Sequence, residues 1–266
     1  MLAQQRQQVI LEKVRSSGGV RVADLVRELG VSDMTIRRDL EVLAERGLVE
    51  KVHGGATVAG PGSTEEPGFT AKSGRQQPEK EMIARHAARL VRPGTAIALS
   101  AGTTTWTLAH FVVEVPELTV ITNSIRIADV FHRAPRADRT VVLTGGVRTP
   151  SDALVGPVAV AAIRGLHVDT LFLGVHGMST RAGFTTPNLL EAETNRALVA
   201  SAHRLVVPAD HTKWGTVGIS TIAELSEAHV VVTDSGLPEE AREELAAAVG
   251  ELIITEPQQE SETLSR

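Results

Sequence analysis

The run from Val22 to Ala56, VADLVRELGVSDMTIRRDLEVLAERGLVEKVHGGA, decides how the N-terminal part of the chain folds. Leu29, Gly30 and Val31 interrupt an apolar helical pattern, and Ser32 then offers a side-chain oxygen to the unpaired amides of a new helix beginning at Asp33. Along that helix Ile36, Leu40 and Leu43 recur at i, i+4 and i+7 and make a buried stripe, with Thr35, Arg37, Arg38 and Glu41 off it. Two arginines near a helix start stand where a helix lying in a major groove meets base edges and phosphates. Arg37 is also spaced to pair with Glu41, an ordinary surface contact of about 0.2–0.5 kcal/mol. Gly47 ends the helix. Leu48, Val49 and Val52 then read as strand positions with Lys51 and His53 beside them, and Gly54-Gly55 permits a hairpin tip with positive φ. Upstream, a helix from Gln4 to Ser16 is broken at Gly18-Gly19. Three helices and a wing of this size predict a module that reads duplex DNA.

Charge placement constrains how such a module can bind. The 266-residue chain carries a formal net charge of -5, yet residues 1–58 hold nine Lys or Arg against eight Asp or Glu. Phosphate affinity must therefore come from local placement, which predicts modest non-specific binding and a strong dependence on salt. Aromatic residues make up 3% of the chain and Tyr is absent, which argues against a stacking platform for single strands. Without cysteine there is neither a disulfide nor a thiolate metal site, and a reducing cytoplasm fits. The start, MLAQQRQQVILEKV, lacks the apolar core of a signal peptide. The longest weakly polar stretch, from Ala153 to Ile163, contains Gly and Pro, so a soluble chain with no membrane partner is expected. The nine histidines show no metal-ligand spacing, and neither a metal nor a cofactor is expected.

From Ala59 to Pro78 the sequence concentrates Gly, Pro and polar residues and reads as a linker. Phe69 and Lys72 stand out within it; a lone aromatic there either docks on the next domain or stays mobile. Glu79 to Val91 predicts an amphipathic helix. Short apolar runs (TAIAL, LTVIT, TVVLT, TLFLGV, RLVVPA, HVVVTD, ELIIT) then alternate with helical stretches, including Leu189 to Ser201 and Pro238 to Val249. Such alternation predicts a mostly parallel α/β domain. The expected organisation is a winged helix-turn-helix over 1–58, a linker over 59–78, an α/β effector domain over 79–255 and a disordered polar tail over 256–266.

Ligands of open parallel sheets bind at the carboxyl ends of the strands, and four loops there carry polar or glycine-rich signatures. In ALSAGTTTWTLA the chain turns at Gly102 and enters a helix at Thr103, Thr104 and Thr105, so amides, hydroxyls and helix dipole converge as a phosphate requires. The alternative is that Thr103 is only an N-cap and Gly102 only a turn. Asn123 and Ser124 occupy the equivalent place after the next strand, as ligand contacts or as caps. Gly145-Gly146 and the LGVHGM loop allow close backbone approach. Glu191, Glu193 and Lys213 are further polar candidates, and Trp106 and Trp214 either wall the pocket or pack in the core.

These motifs resemble the DeoR-type transcriptional regulators. The match rests on RQQVILEKV, VS..TIRRDL..L...G and HGGA in the head, and on GTTT, TNS, TGG, VDTLFLGVHGM, EAETNRALV and ADHTKWG behind it, nearly the entire chain. The resemblance implies a recognition helix starting at Ser32 that presents Thr35, Arg37 and Arg38 to operator DNA, with Lys51, His53 and Gly54 on the wing. It further implies a sugar-phosphate-sensing domain similar to ribose-5-phosphate isomerase. There Gly102, Thr103, Thr104 and Thr105 would hold phosphate, Asn123 and Gly146 would line the pocket, and Glu191 or Glu193 with Lys213 would approach the sugar. A repressor of carbohydrate genes acting as a homo-oligomer, dimer or tetramer, is the implied whole. Two departures stand out. Ser100 replaces the aspartate usual before GTT, and Leu173 and His176 stand where the isomerases carry paired aspartates. Binding without catalysis is therefore expected, against the rival of an isomerase-like enzyme with a DNA-binding appendage.

Overall fold

The computed structural model describes residues 3–17, 19–45, 48–52, 54–58 and 68–256, and divides the chain into units at 62/63. The first unit comprises α1 (Ala3–Ser17), β1 (Gly19–Arg21), α2 (Val22–Leu29), α3 (Asp33–Glu45), β2 (Val49–Val52) and β3 (Gly55–Val58). Gly30 closes α2 in the left-handed region (φ 64°), its amide bonded to the Val26 carbonyl, and Ser32 Oγ accepts from the Thr35 amide at 3.2 Å at the head of α3. Ile36, Leu40 and Leu43 are buried as their spacing requires, against Ile10 and Val14 of α1 and Leu25 of α2. Each such side chain contributes about 1.5–3 kcal/mol on burial.

The wing has a third strand that the sequence did not reveal. β1 pairs antiparallel with β3, which pairs with β2. Gly54 turns the tip at φ 81°, and Gly55 lies so close to β1 that a Cβ there would stand 2.1 Å from the Val20 carbonyl oxygen. Gly18, Gly47 and His53 lie outside the described residues.

The second unit opens with α4 (Phe69–Ser73) and α5 (Gln77–Ala88), so the second part of the expected linker is helical. The physical reason is tertiary: Phe69 is buried, its ring edge-on to Trp106 at 5.7 Å, and that docking holds a helix too short to form alone. Residues 59–67 lie outside the described residues, as do 257–266 of the expected tail.

Strands β4 (Ala96–Leu99), β5 (Thr119–Thr122), β6 (Thr140–Leu143), β9 (Val168–Phe172), β12 (Ala202–Pro208), β14 (Val230–Asp234) and β15 (Leu252–Thr255) form one parallel sheet in the order β15-β14-β12-β9-β4-β5-β6. Alternate residues serve opposite faces. Ile97, Leu99, Val120, Phe172, Val206 and Val232 pack under α5, α6 (Thr103–Val112) and α7 (Ile125–Arg133). Ala98, Ile121, Leu171, Val207 and Val231 pack against α8 (Pro157–Arg164), α9 (Leu189–Ser201) and α10 (Glu239–Ala248). The short pair β7 (Val147–Arg148) with β8 (Leu154–Val155), and the antiparallel sheet of β10 (Gly177–Ser179), β11 (Gly183–Thr186) and β13 (Ser220–Ala223), were not foreseen.

Candidate functional site

On the head, α3 is clamped from behind. Asp39 is buried and accepts from Arg6 Nε at 2.5 Å and Gln7 Nε2 at 2.9 Å, which fixes α3 on α1. Thr35 shares a hydroxyl contact with Ser32 at 2.8 Å. The two arginines differ. Arg37 turns back to Asp33 (2.5 Å), not forward to Glu41, and this pairing raises its pKa above the ordinary value. Arg38 is exposed and makes no hydrogen bond or ion pair among the described residues, so it is the uncommitted guanidinium of the helix. Lys51 pairs through its backbone with Ala56 in the wing, and Gly54 is at the exposed tip.

At the carboxyl edge of the sheet, the loop after β4 is built from inside. Ser100 is fully buried; its Oγ accepts from the Gly174 amide at 2.8 Å and its carbonyl accepts from Thr105 Oγ1 at 2.7 Å. Asn123 is also fully buried: Oδ1 accepts from the Ala101 amide (2.8 Å) and Nδ2 donates to the Leu154 carbonyl (3.2 Å). Thr105 and Asn123 therefore use polar groups to hold the loops. Gly146 (φ 126°) is likewise demanded by packing, since a Cβ would stand 2.6 Å from the Val155 carbonyl oxygen. Ser124 caps α7, accepting from the Ile127 amide at 3.3 Å.

Thr103 and Thr104 remain. Gly102 is the N-cap of α6, so these threonines start the helix, and their hydroxyls have no hydrogen-bond partner among the described residues. First-turn amides of a helix lack intrahelical acceptors, and here they sit beside two open hydroxyls.

Charge gathers on the same edge. Lys80 belongs to the buried stripe of α5 with Ile83, Ala84 and Ala87, and its Nζ donates to the carbonyls of Lys72 (2.7 Å) and Arg75. Burial pulls its pKa down to about 8; Asp210 opposes the shift, and Lys213, Lys72 and Arg75 add to it. Lys72 in turn donates to Ser151 Oγ at 2.9 Å. Asp210, just past β12, is buried; its Oδ1 accepts from the Thr212 amide and hydroxyl, while Oδ2 has no partner among the described residues. Glu191 is buried and accepts from Thr186 Oγ1 at 2.9 Å, whereas Glu193 points to solvent.

Lys72, Arg75, Asp210 and Lys213 thus lie around Lys80, and Thr103 and Thr104 open the helix that follows β4. Sequence reading missed Arg75, Lys80 and Asp210. The signal for Lys80 was present: a lysine at the first position of an i, i+3, i+4, i+7 apolar stripe is a charge placed where a methyl is expected. Among the described residues no three His, Cys, Asp or Glu side chains are grouped to hold a metal, and no helix is long and apolar enough to cross a membrane.

Residues 6–61 match the DeoR-like helix-turn-helix domain and residues 75–235 the DeoR C terminal sensor domain. The chain is 36% identical to the HTH-type transcriptional regulator YgbI of Escherichia coli K12, over 96% of this chain and 98% of that protein. It is 29% identical to the glycerol-3-phosphate regulon repressor of the same organism, over 88% and 92%. Among solved structures, ribose-5-phosphate isomerase A of Methanocaldococcus jannaschii overlays 53% of this chain and 55% of its own, with 16% identity and a TM-score of 0.39. The chain belongs to the DeoR family of DNA-binding transcriptional regulators, with a helix-turn-helix head and a C-terminal sensor domain.

Proposed function

We propose that this regulator represses genes of carbohydrate metabolism and that a phosphorylated sugar, bound at the carboxyl edge of its sensor sheet, releases it from operator DNA. The observation that carries the reading is the pairing of an anion cradle with a single hydroxyl acceptor. Thr103 and Thr104 offer hydroxyls at a helix start, Lys72, Lys80 and Lys213 supply positive charge, and Asp210 keeps one buried carboxylate oxygen unsatisfied. A phosphate ester of a polyol has the matching halves. One relative is named the glycerol-3-phosphate regulon repressor, so a phosphorylated polyol stands in the name of a homologue's regulon.

The binding is not coupled to turnover. An isomerase needs a carboxylate free to carry a proton between adjacent carbons. Here Glu191 accepts from Thr186 and Asp234 pairs with His211 (2.7 Å), and the open Oδ2 of Asp210 is assigned to a ligand hydroxyl, not to a proton relay. On the head, Ser32, Thr35, Arg37 and Arg38, with Lys51, His53 and Gly54 of the wing, address the duplex. Assembly as a homo-oligomer in the cytoplasm places two heads on half-sites one helical turn or its multiples apart.

A thermal-shift screen of the full chain with phosphorylated sugars and their unphosphorylated parents tests the site. At 100 times its dissociation constant a ligand adds about 2.7 kcal/mol of stability. Stabilisation by an ester but not its parent sugar, abolished in Thr104→Glu, is expected. Turnover of any ester that is lost with Asp210→Asn, or an equal response to parent sugars, overturns the reading.

A further inference from the structure

On α3 the side facing the core is marked by Ile36, Asp39, Leu40 and Leu43, all buried. At 3.6 residues per turn, Met34 and Arg38 share the side directly opposite. Met34 is 79% exposed, the highest value among the exposed large hydrophobics of the described residues. Single exposed apolar side chains are ordinary; the placement of this one is not. It lies in the first turn of the recognition helix, the part that meets base edges, and one turn ahead of the uncommitted Arg38. Arg37, which the sequence suggested as an equal reader, is occupied by Asp33.

A thioether can neither neutralise a phosphate nor donate to a purine. The apolar group that a major groove offers is the C5 methyl of thymine, and an unbranched, polarizable side chain adapts its end to such a target. Resting on the assignment of α3 as the recognition helix, we propose that Met34 is a specificity-determining residue that selects thymine by packing its methyl thioether on the base's C5 methyl, beside the base or phosphate taken by Arg38.

The test starts from duplexes selected by the full-length protein out of a random pool. Each thymine of one half-site is replaced singly by uracil, which removes the methyl and keeps every hydrogen-bonding edge. At one position the wild type is expected to lose about fourfold in affinity, the partition value of one buried methyl. Met34→Leu keeps that loss and Met34→Ala binds both duplexes equally. Because the side chain is exposed, neither variant loses fold stability, which circular dichroism checks. The inference is overturned if no uracil substitution weakens wild-type binding, or if Met34→Ala discriminates as the wild type does. Arg38→Ala separates it from the reading beneath: loss of sequence selection in that variant, with methyl discrimination unchanged in Met34→Ala, sinks the Met34 proposal alone. An Arg38→Ala variant unaltered in affinity, salt slope and selection alike, or no sequence selected by the wild type, removes both.

Discussion

Ser100 Oγ accepts the amide hydrogen of Gly174 at 2.8 Å, and by that bond the loops leaving neighbouring strands β4 and β9 are joined. The hydroxyl stands where the family pattern has an aspartate. A neutral acceptor suffices for one amide and adds no negative charge beside Thr103 and Thr104. Ser100→Ala leaves the half-buried Gly174 amide unpaired, so a loss of about 1 kcal/mol is expected in urea unfolding of the sensor domain. An unchanged midpoint would show that the loops are held by other means.

Lys80 predicts a pH dependence. Its pKa is about 8 in the fold and near its ordinary 10.5 when unfolded. Between those values the unfolded chain binds more protons, so this group makes stability rise with pH from about 8 to 10.5 and contributes no slope below 8. The stability of the wild type relative to Lys80→Met should climb across that window in parallel unfolding curves. A bound phosphate favours the protonated amine, so binding at pH 8.5 should take up protons, seen as a binding heat that changes with the ionisation enthalpy of the buffer.

The two arginines of α3 should separate in DNA binding. Arg38→Ala removes an uncommitted cation and is expected to reduce the slope of log affinity against log salt by about 1 if it meets a phosphate, or to cost about 1–3 kcal/mol at one base pair if it reads guanine. Arg37→Ala should cost less, because Asp33 already balances its charge. Filter binding or fluorescence anisotropy at several salt concentrations decides; equal losses would show that the Asp33 pair opens on DNA.

Gly55→Ala should damage the wing. Its Cβ would stand 2.1 Å from the Val20 carbonyl oxygen, a backbone atom that cannot move without parting β1 from β3. We expect about 1–3 kcal/mol of destabilisation confined to the head, visible as lost amide protection from Gly19 to Arg21, with ligand-induced stabilisation of the sensor unaffected.

Much of this was readable beforehand because the cues were local. Gly30 and Ser32 fixed the turn between α2 and α3, and the period of Ile36, Leu40 and Leu43 fixed its buried side. The parallel sheet followed from apolar runs alternating with helices, and α9 has the expected bounds. What was hidden depends on partners far along the chain. Asn123 meets the Leu154 carbonyl across 31 residues, and nothing near position 123 foretells that bond. Strands β7 and β8 have two residues each, below the length at which alternation can register. Lys80 was passed over since a helix stripe is read for its apolar members, although the odd one carries the chemistry.

The docking of Phe69 also sets where this protein can be cut and rejoined. Its ring lies against Trp106, the Arg126 guanidinium carbon lies over the ring 5.0 Å from its centroid, and its amide donates to the Pro150 carbonyl at 3.2 Å. The segment from Gly68 onward is thus part of the sensor core. A chimaera that exchanges heads between regulators should be spliced ahead of Gly68; a seam at Pro78 would discard α4 and strip Trp106 of its cover.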